Sequence, residues 1–138
     1  MPSIARQWIV IGAILGALGV GFGAYGAHGL SELLTKRFGY SGDDLTHRLA
    51  LFETAVRYQM YHAVALVLIG LALAQQDTKS WRFAGWAFLV GVLIFSGLLK
   101  IMTFASHDWN WLGAIVPIGG VSLIIGWVAL AVGAFKQR

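Results

Sequence analysis

The residues of this chain that could do chemistry are concentrated in one short segment, FETAVRYQMYHA at Phe52–Ala63. The segment offers a carboxylate, a guanidinium, two phenols and an imidazole, namely Glu53, Arg57, Tyr58, Tyr61 and His62. It runs directly into AVALVLIGLALA, which carries no charge. Polar chemistry is therefore placed where an apolar segment begins, and a further histidine, His28, closes an earlier apolar segment.

One chemistry that these residue types allow is a site for a metal ion, a proton, a quinone or a lipid headgroup. Histidine and carboxylate side chains are ligands for zinc, iron and copper, and His28, His62 and Glu53 are the candidates. However, neither H-x-x-x-H nor E-x-x-H spacing occurs, because His62 follows Glu53 by nine residues. We therefore assign no metal site and no catalytic residue.

The simpler interpretation is a hydrogen-bonded cluster that locks two membrane helices together. Glu53 and Arg57 lie four residues apart and share one helix face, with Tyr61 one turn further on. In lipid, buried polar groups need internal partners whether or not they catalyse a reaction. This interpretation predicts Glu53–Arg57 as the central pair, with His28 and Tyr61 nearby, and we favour it over the metal site.

Composition and context exclude or disfavour several function classes. The chain has no cysteine, which excludes disulfides and thiolate catalysis. The pattern G-x-G-x-x-G at 21–26 lies inside an uncharged segment, so it lacks the context of a nucleotide-binding loop. No Ser/His/Asp arrangement has the context of a nucleophilic triad. The net charge of +4 comes from basic residues scattered at segment ends, and neither nucleic-acid binding nor a cofactor is expected.

The elements that must position the polar residues are membrane-spanning helices. Of the 138 residues, 58% are hydrophobic and 12% are charged, against about 25% charged in soluble domains. The sequence predicts an all-α, integral membrane bundle of four transmembrane helices in a single domain, 1–138. The spans are expected at approximately 8–30, 53–75, 81–104 and 111–135, because each can cross about 30 Å of hydrocarbon.

Two stripes of glycine indicate where helices approach one another closely. In the first span the glycines recur every three or four residues and in the last span every seven, which places each set on one helix face. Small residues on one face let helices pack tightly in lipid. The predicted helix-packing residues are Gly12, Gly16, Gly19, Gly23, Gly26, Gly119, Gly126 and Gly133. A bundle can use one stripe internally, which leaves the second for a partner.

The connections predict how the spans are arranged. Ser31–Leu51 is polar and is expected to hold a short interfacial helix between spans one and two, ended by Gly39 and Gly42. The later connections are short, so consecutive spans are expected to be antiparallel neighbours. Pro117 is expected to kink the last span, and Lys100 to extend from a helix end to the interface.

Charges at the span ends predict the orientation. The side that holds both termini carries five basic residues, Arg6, Lys79, Arg82, Lys136 and Arg138. The other side carries three, Lys36, Arg37 and Arg48, or five when Arg57 and Lys100 are included. By the positive-inside rule, the narrower count favours a bacterial inner-membrane protein with both termini in the cytoplasm.

Four segments together resemble a known family. They are GAYGAHGL (Gly23–Leu30), FETAVRYQMYHA, AGW…FSG (Ala84–Gly97) and WLGAIVPIGG (Trp111–Gly120), the last followed by GW (Gly126–Trp127). They are similar, in the same order, to the family catalogued as domain of unknown function 423, which includes YgdD-like bacterial inner-membrane proteins. The resemblance implies a four-span helical membrane protein and brings no established activity, cofactor or catalytic residue.

Together these features predict a non-enzymatic, multi-pass membrane protein that works as a packing or accessory component. Its first partner is the lipid bilayer, and we expect it to self-associate or to join a membrane complex. The alternative is a ligand-handling protein built on the polar cluster. Approach of His28 to His62 beside a cavity would favour that alternative, and a plain Glu53–Arg57 pair without a cavity would exclude it.

Overall fold

The computed structural model describes residues 1–136, which are helical almost throughout. The elements are α1 (Ser3–His28), α2 (Leu30–Phe38), α3 (Gly42–Gln75), α4 (Lys79–Phe104), a 3-10 segment (His107–Ala114) and α5 (Val116–Phe135). No strand occurs within residues 1–136, so the predicted all-α fold is confirmed. Arg138, which entered the charge count, lies outside the described residues.

Four helical stretches are long and apolar enough to cross a membrane, as predicted: α1, α3, α4 and His107–Phe135. α3 has 34 residues and is therefore about 51 Å long at 1.5 Å per residue. Crossing the hydrocarbon takes about 20 residues. The α3 helix therefore extends beyond the hydrocarbon at its N-terminal end, by roughly a dozen residues.

The helices pack in chain order, α1 on α3, α3 on α4 and α4 on α5. In the most apolar stretches of α3 and α4, 44% and 39% of the residues are buried, against 11% in α1 and 17% in the last span. α3 and α4 therefore form the centre of the bundle. α1 and α5 are the outer helices and present most of their surface to lipid.

The glycine stripe of α1 lies against α3. A methyl group added at Gly12 would lie 2.6 Å from the backbone oxygen of Ala63, and one added at Gly26 would lie 3.1 Å from the ring of Phe52. Since the later glycine faces the earlier residue, the two helices run antiparallel. The other glycines of this stripe also face α3 side chains, namely Gly16, Gly19 and Gly23.

The glycine stripe of α5 lies against α4 of the same chain. Gly126 faces the ring of Phe88, Gly133 faces Trp81, and Gly119 lies against the α4 backbone. Both stripes are therefore covered by helices of one chain. The expectation that the second stripe is left for a partner loses its basis.

Short hydrogen bonds between side chains and backbone reinforce the contact of α4 with α5. Ser122 Oγ donates to the carbonyl of Ala87 over 2.8 Å, and Ser80 Oγ donates to the carbonyl of Ala129 over 2.6 Å. Small residues at both positions allow the backbones to come this close, which is typical of helix contacts in membranes.

The main hydrophobic core lies between the central helices and the start of α1. Trp8 is its largest fully buried side chain, and its indole occupies the space above Gly85, which has no side chain. Buried aliphatic and aromatic residues of α3 and α4 complete this core, including Leu66, Ile69, Leu73 and Phe88.

The helix α2 is the interfacial helix that the sequence predicts. It ends at Phe38 and is followed by Gly39, whose φ of 71° lies in the left-handed region that favours glycine. Its buried side chains, Leu30 and Leu34, pack with Phe52 of α3. The helix is therefore held against the extended N-terminal part of α3.

The predicted kink at Pro117 is wrong. Pro117 lies in the first turn of α5, where a helix does not need the backbone N–H that proline lacks. The predicted span 111–135 is instead divided between the 3-10 segment and α5. Proline therefore starts the last helix rather than bending it.

The turn between α3 and α4 is fixed by its own side chains. Thr78 Oγ1 accepts a hydrogen bond of 3.3 Å from the backbone N–H of Trp81 and caps α4. The guanidinium of Arg82 donates two hydrogen bonds to the Asp77 carboxylate. These hydrogen bonds lower the pKa of Asp77 below its ordinary value.

Candidate functional site

The six residues of the predicted polar cluster do not come together in one place. His28 is the last residue of α1 and is exposed. Gly26, two residues before it, packs on Phe52, whereas His62 lies ten residues further along α3, or about 15 Å. The two histidines are therefore far apart along the bundle.

Glu53 and Arg57 form the pair that their spacing predicts, but the pair is on the surface. Arg57 Nη2 donates to Glu53 Oε1 over 2.5 Å, and the two side chains are 51% and 71% exposed. No hydrogen bond joins either side chain to α1 within residues 1–136. The sequence interpretation proposed that this pair locks spans one and two together, and that proposal is wrong.

A groove lies beside this pair, between α1 and α3. It has a volume of about 400 Å³ and is lined by Gly23, Gly26, Ala27, Leu30, Phe52, Glu53, Val56 and Arg57. We call it the interfacial groove. It exists because α1 contributes only glycine and alanine along most of this edge, so that no α1 side chain fills it.

The depth of the interfacial groove follows from the helix lengths. The α3 helix ends at Gln75, and counting about 20 residues back from that end places the expected opposite boundary of the hydrocarbon near residue 55. Glu53 and Arg57 lie on either side of this point. We therefore expect the apolar groove to open at the level of the lipid headgroups, with both charges at its rim.

His62 lies deeper and is 3% exposed. Its Nδ1 lies 2.7 Å from the carbonyl oxygen of Tyr58, and its Nε2 lies 3.1 Å from Nε1 of Trp127. Because a carbonyl only accepts and an indole N–H only donates, the ring is the neutral tautomer protonated on Nδ1. Both nitrogens are used, so His62 joins α3 to α5 and offers no lone pair to a metal.

The structure does not support the metal site. Within residues 1–136, no three histidine, aspartate or glutamate side chains come together in a way that could hold a metal ion. The cavities that touch His62, of about 550 and 350 Å³, are instead lined by neutral and largely aromatic side chains, including Tyr58, Tyr61, Phe95 and Trp127.

Arg48 is the polar residue that the sequence interpretation missed. It is 4% exposed. Its Nη1 lies 2.8–3.1 Å from the carbonyl oxygens of Met102, Thr103 and Ala105, and its Nε donates to Asp44 over 3.1 Å. The last carbonyls of a helix have no hydrogen-bond donor within that helix. Arg48 of α3 is the donor for the carbonyls at the end of α4.

The surroundings of Arg48 extend this contact to two more elements. Its guanidinium lies 3.5 Å from the ring centre of Tyr40, in the α2–α3 connection. Its Nη2 lies 3.4 Å from Nδ1 of His107, at the start of the 3-10 segment. One side chain therefore fixes three segments at this end of the bundle. The spacing of Asp44 and Arg48 was the only signal for this in the sequence.

Gln59 and Lys100 make the connection that was expected of Glu53 and Arg57. Gln59 Nε2 donates to the carbonyl of Leu15 in α1 over 2.7 Å, and Lys100 Nζ of α4 donates to Gln59 Oε1. Lys100 also lies 4.4 Å from the ring centre of Phe22. Lys100 is therefore bound between three helices rather than extended to the interface.

Comparison with known proteins identifies relatives over almost the whole chain. A family model described as protein of unknown function DUF423 matches residues 22–120. A UPF0382 membrane protein of Staphylococcus aureus (strain bovine RF122 / ET3-1) is 39% identical over 131 residues, which cover 95% of this chain and 97% of the relative. The UPF0382 membrane protein YwdK of Bacillus subtilis is 38% identical over 132 residues, covering 95% and 98%.

A third relative is also matched over almost its whole length. The UPF0382 membrane protein of Haemophilus influenzae is 35% identical over 134 residues, which cover 96% of this chain and 97% of the relative. No solved structure matches the chain significantly.

Proposed function

The chain belongs to the DUF423 family of membrane proteins, and we propose that it is a non-enzymatic member whose interfacial groove holds one phospholipid molecule. The observation that carries this proposal is the combination of an apolar floor with two opposite charges at one rim. A lipid has the same two parts, an acyl chain and a charged headgroup.

The floor of the interfacial groove suits an acyl chain. Apart from Glu53 and Arg57, its lining residues are apolar or glycine. An acyl chain that enters the groove covers apolar protein surface that otherwise faces the hydrated headgroup region, and covering that surface is favourable. The volume of about 400 Å³ accommodates part of a lipid rather than a whole molecule.

We propose that the protein is not an enzyme because the ionisable side chains buried within residues 1–136 already have hydrogen-bond partners. His62 uses both ring nitrogens in hydrogen bonds, and the guanidinium of Arg48 binds carbonyl oxygens and Asp44. A general base or acid needs an atom that can exchange a proton with a substrate. These two residues are committed to holding helices together.

Association with other proteins stays a prediction. The glycine stripes no longer favour it, because each lies against a helix of the same chain. Native mass spectrometry in mild detergent would report the number of copies. We also keep the proposal that both termini are cytoplasmic in a bacterial inner membrane, which places the interfacial groove in the outer leaflet.

The lipid proposal can be tested by counting the phospholipid that remains with the purified protein. We expect the wild type to retain about one lipid per chain in mild detergent. Ala27→Trp fills the interfacial groove and should remove most of that lipid. Ala24→Trp places the same side chain on an exposed part of α1 that does not line the groove, so it should retain lipid like the wild type.

Two results would contradict the proposal. One is wild-type protein that carries no lipid in defined proportion to the chain. The other is equal retention by the Ala27→Trp and Ala24→Trp variants when both keep the wild-type unfolding temperature, since groove volume would then be irrelevant to the bound lipid.

A further inference from the structure

We infer that the interfacial groove selects phospholipids whose headgroup ends in a primary ammonium, that is, phosphatidylethanolamine. This inference rests on the proposed function and names the lipid that the same site takes. It follows from the order of charges on α3, where a carboxylate and a guanidinium stand one helical turn apart at the rim of an apolar groove.

Arg57 is the group that would bind the phosphate. Within residues 1–136 its side chain makes one hydrogen bond, through Nη2 to Glu53. The guanidinium is planar, and its remaining N–H groups are arranged so that two of them can donate to two oxygens of one phosphate. An exposed ion pair contributes little to stability, so Glu53 and Arg57 can separate when a headgroup enters between them.

Glu53 is the group that would bind the ammonium. One of its two oxygens, Oε1, bonds Arg57, which leaves Oε2 to accept a further hydrogen bond. A primary ammonium offers three N–H donors, and a charge-assisted bond to a carboxylate is about twice as strong as a neutral one. The rim therefore offers a cation, Arg57, to the phosphate of the zwitterionic headgroup and an anion, Glu53, to its ammonium.

The same rim disfavours other common headgroups. The quaternary ammonium of phosphatidylcholine has no N–H to donate, and proteins recognise it through cages of several aromatic rings. The groove is lined by one aromatic ring, Phe52. The headgroup of phosphatidylglycerol has a phosphate without a cation. When Arg57 binds that phosphate, Glu53 faces a second negative charge and the headgroup offers it no cation.

The test is the affinity of the full-length protein, in detergent, for three defined lipids measured by native mass spectrometry. The lipids are dioleoyl phosphatidylethanolamine, dioleoyl phosphatidylcholine and dioleoyl phosphatidylglycerol. We expect the first to bind about tenfold more tightly than the second, which is the effect of one charge-assisted hydrogen bond.

Variants separate the roles of the two charges. Glu53→Gln should bring the affinities for the ethanolamine and choline lipids to within about twofold, because the carboxylate is the source of the difference. Arg57→Gln should weaken both lipids alike. Glu32→Gln is the matched control, because Glu32 also pairs with a basic residue four positions on, Lys36, and is exposed but does not line the groove.

The outcomes separate this inference from the proposed function. Equal affinity of the wild type for the ethanolamine and choline lipids, or tightest binding of phosphatidylglycerol, overturns the selectivity and leaves lipid binding intact. A selectivity that survives Glu53→Gln also overturns it. Absence of saturable binding for all three lipids overturns the proposed function itself.

Discussion

At the scale of single residues, two arginines of α3 have the same spacing from an acidic residue but differ in burial, and therefore in what they bind. Arg48 and Arg57 each follow an acidic residue by four positions, and each bonds it. Arg48 is buried and also binds the end of α4, whereas Arg57 is half-exposed and, within residues 1–136, its side chain forms a hydrogen bond only within its own helix. Their spacing is identical, so the sequence alone gives both the same interpretation.

The two arginines should differ strongly in their contribution to stability. Arg48→Ala leaves the last carbonyls of α4 without their donor, and we expect a loss of about 3 kcal/mol, the upper end for buried hydrogen bonds made by a charged group. Arg57→Ala removes an exposed pair and should cost at most about 1 kcal/mol. The free energy of unfolding in mixed micelles measures both, and equal losses would show that Arg48 does not hold the end of α4.

The buried polar contacts could not be predicted because they depend on helix rotation and register. Spacing places Glu53, Arg57 and Tyr61 near one face, but it does not say which face meets another helix. Here the face that meets α1 carries Gln59, an uncharged residue without a distinctive spacing. His62 was among the residues selected from the sequence, yet its partner, Trp127, lies 65 residues away and could not be assigned from spacing.

At the scale of elements, the contact between α1 and α3 depends on glycines of α1, which have no side chain to hold the helices apart. In lipid the hydrophobic effect does not drive helices together, because the lipid tails are themselves apolar. Helices associate instead through the van der Waals contacts that close backbone approach allows. The periodicity of the glycines showed that such a face exists on α1. It did not show which helix covers it, and the structure assigns that role to α3.

Glycine substitutions in α1 test this contact directly. Gly12→Ala would place a methyl group 2.6 Å from the Ala63 oxygen, so the helices must separate, and we expect a loss of about 1–3 kcal/mol, as for other overpacked sites. Gly21→Ala is the control, because nothing lies within 4 Å of its added methyl group.

The measurement is again the free energy of unfolding in mixed micelles, with helix content followed by circular dichroism. Gly21→Ala should be neutral or slightly stabilising, since alanine favours a helix more than glycine does. A Gly12→Ala variant as stable as Gly21→Ala would mean that α1 does not press against α3 at this point.

At the scale of the whole molecule, the features that were predictable are those set by the bilayer. Span number follows from the length of the apolar segments, and antiparallel neighbours follow from short connections. The site is different, because the interfacial groove arises from small residues of α1 meeting the lipid-facing edge of α3. Neither segment indicates a groove until the two helices are placed side by side.

The orientation of the bundle decides which leaflet supplies the lipid, and the absence of cysteine makes it easy to measure. Ser41 and Gln76 are exposed and stand at opposite ends of α3, so single cysteines at these positions report the two sides. We expect a membrane-impermeant maleimide to label Ser41→Cys in intact spheroplasts, and Gln76→Cys only after lysis, because the end with Gln76 has more basic residues by the narrower count.

Detergent-solubilised protein is the control and should react at both positions. The reverse pattern in spheroplasts would place both termini outside the cytoplasm. Because Ser41 precedes the part of α3 that carries Glu53, it lies on the same side of the membrane as the interfacial groove. The labelling pattern therefore also assigns the groove to a leaflet, and phosphatidylethanolamine must be present in that leaflet for the proposed selectivity to operate.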